Sequence, residues 1–152
     1  MKRVLPMFTL LVLFSCNKNE IFRQTFKGFP ENRWMTDDAE VFSIAADGPV
    51  ESADINLQFS HVIEPQYAVV PLEVELLSPD GSKESIKLEL ALKDADGKSL
   101  SDCAGDVCDL IIPIKEHVKL AKGNYKLVVK NKFEGPYLPN VLALSVSVVK
   151  SK

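Results

Sequence analysis

Histidine is scarce in this chain: His61 and His117 are the only 2 among 152 residues. Neither stands in a recognisable catalytic pattern, and no G-x-S-x-G or H-E-x-x-H occurs. No enzyme is expected on this reading, and no cofactor. A basic excess is missing as well. The chain has 18 Lys and Arg against 21 Asp and Glu, so a nucleic-acid backbone would find no cationic patch to neutralise it. There is no run of the ~20 apolar residues that a bilayer-spanning helix needs. Apolar residues at helical spacing are absent too, which argues against a helix-rich fold.

What is present begins at the first residues. Lys2 and Arg3 precede an apolar run from Val4 to Phe14. A positive head followed by a short apolar stretch is the pattern of a secretory signal. This one ends Leu13-Phe14-Ser15-Cys16, an order that resembles a bacterial lipobox. That resemblance implies cleavage before Cys16 and acylation of its thiol and new amine. Several chains on one cysteine add at about 0.8 kcal/mol per buried CH₂ and give a stable membrane anchor. Asn17 stands where an aspartate would mark inner-membrane retention, so the outer membrane is the expected address, with the leaflet open. Losing residues 1–15 removes Lys2 and Arg3 and leaves 16 basic against 21 acidic residues, a net charge of about −5.

Cys103 and Cys108 remain, in "DCAGDVCD". An exported chain meets an oxidising compartment, so a disulfide is expected, with Ala104-Gly105 making the turn. Two other readings compete: free thiols, or a metal site. Zinc prefers four ligands, and two cysteines with a distant His117 fall short, so no metal is expected.

From Asp38 onward the period is two. Ile55, Leu57 and Phe59 alternate with Asn56, Gln58 and Ser60, and His61 continues the inward row, as in a strand with one face in a core. "VVPLEVELL" and "SIKLELALK" repeat the scheme on either side of a Pro79-Asp80-Gly81 turn and predict a hairpin. Pro71 suits an edge or a strand beginning. "DLIIPIKEHVKL" predicts a strand interrupted by Pro113. "NYKLVVKNKF" places Tyr125, Leu127 and Val129 inward. "VLALSVSVVK" places Leu142, Leu144, Val146 and Val148 inward. With "EVFSIA" near residue 42 the total is about seven strands, an all-β antiparallel sandwich after an N-terminal lipoprotein signal peptide. The domain reading is residues 1–15 signal peptide, 16–33 lipidated N-terminus and tether, and 34–152 sandwich.

The loops hold the remaining candidates. "KDADGKSLSD" has acids at alternate positions but places Lys98 and Gly105 where a calcium loop needs oxygen ligands; a hairpin turn is expected instead. Trp34, the only tryptophan, is either an exposed anchor for a partner or a cap folded onto one end of the sandwich, and the cap is favoured. Tyr137 lies in a loop stiffened by Pro136 and Pro139. Trp34, Tyr67 and Tyr137 are the candidate partner contacts.

Several pieces recur together: the lipobox, "WMTDDAEVFSI", "INLQFSHVIEPQYAVVPLEV", a "DADGK" turn, "KLAKGNYKLVVKNKF" and a closing "LPNVLALSVSVVK". In these the chain resembles the gliding-motility lipoproteins of the GldH type, found in the Bacteroidetes, over most of residues 34–149. It departs at "LSDCAGDVCDLII", where that family tends to a glycine-rich stretch. The resemblance implies a non-enzymatic protein of the gliding and secretion machinery. The expectation is then an accessory or scaffold component, held by lipid and contacting other envelope proteins. The alternative is a surface glycan-binding module, which would need a flat row of exposed aromatic rings.

Overall fold

A computed structural model describes residues 19–36 and 38–152. The signal segment and Cys16 lie outside these residues. Eleven strands follow in order: β1 (Glu20–Phe26), β2 (Trp34–Met35), β3 (Ala39–Ala46), β4 (Val50–Val62), β5 (Val69–Leu77), β6 (Lys83–Ala91), β7 (Asp102–Ala104), β8 (Val107–Leu120), β9 (Gly123–Asn131), β10 (Tyr137–Leu138) and β11 (Val141–Lys150). A five-stranded sheet, β1-β11-β4-β8-β7, faces a four-stranded one, β3-β9-β5-β6. A two-stranded ladder, β10-β2, lies apart from both. All named pairings are antiparallel.

The period-two rows make the core. Ile55, Leu57 and Phe59 of one sheet meet Phe42, Val74 and Leu127 of the other, all buried. Each such side chain contributes about 1.5–3 kcal/mol on burial. The predicted β5–β6 hairpin forms, with Leu72 opposite Leu88 and Val74 opposite Ile86. Pro71 lies near the start of β5, just past the last β9 pairing, Leu72 with Asn131. Its carbonyl accepts Lys132 N–H at 3.0 Å.

Three expectations need correction. The first is the tether assigned to 16–33: its residues 20–26 are a strand, paired with β11 from Glu20–Val149 to Phe26–Leu144. Their alternation is masked because Gln24 sits in the row of Phe22 and Phe26. It does so because β1 is an edge, where Gln24 Oε1 accepts the Ser43 N–H of β3 at 3.1 Å and bridges the two sheets. The second is Pro113, which does not interrupt β8. Pairing continues through it, with irregular register opposite Ile55 and Asn56. Ile63 N–H donates to Asp106 O, and alternation from that bond points Pro113 away from β4, toward the sheet edge left open beyond β7. Its missing N–H costs nothing there and blunts the edge. The third is Leu142. A bulge between Val141 and Ala143 turns Val141 inward and leaves Leu142 half-buried.

Candidate functional site

The strands give the domain two ends of different character. At one end lie the start of β1, the β3–β4, β5–β6 and β8–β9 turns and the C-terminus. At the other lie segments 27–38, 63–68, 92–106 and 132–140, the longer connections. The sequence-predicted contact residues all belong to this loop end.

Trp34 is 1% exposed. Its ring packs beside Phe29, centroids 5.7 Å apart, and Phe29 meets Phe26 edge-on at 5.1 Å. Asn131 Nδ2 donates to Trp34 O at 2.9 Å, and Asn131 Oδ1 accepts Phe133 N–H. Trp34 is thus the cap, not an exposed anchor. Its Nε1–H finds no acceptor among the described residues, so its place rests on apolar packing. Tyr67 is buried as well: its ring meets Phe133 edge-on at 5.4 Å and its hydroxyl donates to Pro139 O at 2.7 Å. Burial pushes its phenol well above the ordinary range. Neither ring can offer a partner a surface. Tyr137 can, in part: it is half-buried in β10, opposite Met35, with the Arg33 guanidinium 4.8 Å over its ring.

The residues the sequence reading missed are aliphatic. Met35, Ile63, Val69, Leu100 and Val107 are each more than 40% exposed, and all five belong to this end. Their signal in the sequence is faint: single apolar residues bordering acidic turns, without the aromatic ring that marks an anchor. The loops bearing them are tied to one another. Ile63 N–H donates to Asp106 O at 2.9 Å, Lys93 Nζ to Pro65 O at 3.0 Å, and Leu92 N–H to Ala68 O at 2.7 Å. Cys103 and Cys108 form a disulfide across the β7–β8 hairpin, Cα atoms 4.0 Å apart. Gly105, with φ 62°, opens its turn. Glu40, at the start of β3, is held above the usual carboxylate range, first by burial and then by Asp38.

His61 lies directly under this platform, 1% exposed. Nδ1 is 2.8 Å from Val62 O, which can only accept, so that nitrogen carries the proton. Nε2 is 2.8 Å from Ser101 Oγ, and the ring stacks on Phe59. Both nitrogens are occupied. His117 lies in β8 with φ 52°, its backbone N–H donating to Asp54 Oδ1. The "DADGK" segment is a turn: Asp94 Oδ1 accepts Asp96 and Lys98 N–H. Among the described residues no group of three or more His, Cys, Asp or Glu side chains is placed to hold a metal ion. No aromatic ring belongs to the strongly exposed apolar set among them either, so the flat aromatic row needed by the glycan-binding alternative is absent from that part of the chain.

A family profile described as "GldH lipoprotein" matches residues 21–148. No curated protein matches. Among solved structures, the serine protease of Aeromonas sobria in complex with its chaperone is 14% identical, TM-score 0.39, over 88% of this chain and 27% of that one. A family GH115 4-O-methyl-α-glucuronidase is 12% identical, TM-score 0.41, over 99% of this chain and 19% of that one. Eiger TNF from S. frugiperda is 8% identical, TM-score 0.37, over 89% and 94%. The chain thus spans about a quarter or less of the first two proteins. At these scores the likenesses carry no argument about function.

Proposed function

Since the chain belongs to the GldH lipoprotein family, we propose that it is a lipid-anchored, non-catalytic accessory or scaffold component of gliding or secretion machinery at the outer membrane. Cys16 carries the lipid in this reading, and the mechanism is positional. The anchor concentrates the domain at the membrane, and the loop end binds another envelope protein. The observation that carries the binding half is the gathering of Met35, Ile63, Leu100 and Val107 at one end, on loops fixed by hydrogen bonds and a disulfide. A pre-ordered apolar surface loses little entropy on association.

Deletion in the native host tests this. Loss of surface spreading or of secretion, restored by the wild-type gene and not by Cys16→Ser, is expected. Normal spreading with normal secretion in the deletion strain overturns it.

A further inference from the structure

We infer that the domain stands end-on to the bilayer, with the β3–β4, β5–β6 and β8–β9 turns against the lipid headgroups and the loop end held away from them. The inference rests on acylation at Cys16 and adds a definite face and direction to it. Glu20, the first residue of β1, lies at the turn end: it pairs with Val149, and Lys150 N–H donates to Asn19 O at 2.8 Å. Three residues lie between Cys16 and Glu20, so the Cα atoms of the two are at most about 14 Å apart whatever the conformation between them. Strand β4, 13 residues long, runs from the turn end to the loop end. At roughly 3.3 Å per residue it covers about 40 Å. An anchor that short keeps the turn end at the headgroups, and the loop end then stands about one β4 length beyond it.

Charge points the same way. The turn end is balanced: Lys83, Lys119, Lys122, Lys150 and Lys152 stand against Glu20, Asp47, Glu51, Asp80 and Glu84. The described residues of segments 27–38, 63–68, 92–106 and 132–140 carry 8 carboxylates against 5 basic side chains. An anionic leaflet repels the acidic end and tolerates the neutral one within a Debye length of about 8 Å. The five exposed aliphatic side chains of the loop end are thereby kept clear of lipid and open to protein.

The test uses the full acylated chain in vesicles of phosphatidylcholine and phosphatidylglycerol containing a headgroup-nitroxide lipid, a short-range quencher of indole emission. Trp34, at the loop end, is the built-in distal reporter. Lys122→Trp adds a proximal one, and Asp47→Trp is the substitute if that variant fails to fold. The added indole is expected to lose most of its emission while Trp34 keeps its own. Quenching of Trp34, or an unquenched added indole, overturns the end-on arrangement. A mass lacking acyl chains on Cys16 overturns the anchor itself, and the orientation with it, so the two failures are separable.

Discussion

His61 and Cys108 are register partners across β4 and β8, both 1% exposed, and the disulfide from Cys108 to Cys103 fastens the β7–β8 hairpin beside the imidazole. A buried polar ring with both nitrogens occupied is costly to disturb, since each lost partner leaves a desolvated group behind. His61→Ala should destabilise the fold by about 2–4 kcal/mol, read as a lower denaturant midpoint at unchanged slope. A variant as stable as the wild type would show that the ring is not structural.

Reducing the Cys103–Cys108 bond should lower stability by about 2 kcal/mol, the chain-entropy value for so short a loop. Urea unfolding with and without a thiol reductant measures it. Identical midpoints would contradict the bridge.

Gly123 shows how an end turn restricts sequence. Its φ is 145°, and a Cβ there would lie 2.7 Å from both Cβ and Cγ of Pro79. Gly123→Ala should cost about 1–3 kcal/mol through that collision and the backbone strain. Thermal unfolding of the variant is the measurement, and an unshifted midpoint would refute the reading.

Tyr67 gives a pH dependence. Burial raises its phenol above the ordinary value of 10.0 in the folded protein. The unfolded chain therefore releases that proton first, so the stabilisation is complete below about pH 10 and declines as pH rises beyond it. Urea midpoints should fall between pH 9 and 11 more steeply for the wild type than for Tyr67→Phe. Parallel curves would mean the hydroxyl is not sealed against Pro139.

Much of this architecture was legible because burial alternates along β4, β5 and β9, and because apolar and small polar residues alternate along most of β11 even though both of its faces are buried. The alternation also placed His61 inward, and the cysteine spacing in an exported chain favoured a disulfide over free thiols or a metal site. What escaped was set by partners far along the chain. Strand β1 is specified by β11, more than 100 residues away. The two-residue ladder of β2 and β10 is too short to show a period. Tyr67 is buried by Phe133 and bound by Pro139, neither of which its own surroundings announce. Trp34 sits among charged neighbours because β2 alternates a buried Trp34 with an exposed Met35 at the surface. Trp34 and Tyr67 are thus turned inward, and the strongly exposed apolar residues of the loop end are aliphatic.

The central claim is that a lipid-held domain works through its loop end. It is tested most directly by Met35→Glu with Leu100→Glu in the native host, against Asp47→Arg with Lys122→Glu at the turn end as the control pair. The loop-end pair should abolish spreading or secretion while the protein remains folded, abundant and membrane-bound, and the control pair should leave both intact. Normal spreading and secretion with the loop-end pair would contradict the account.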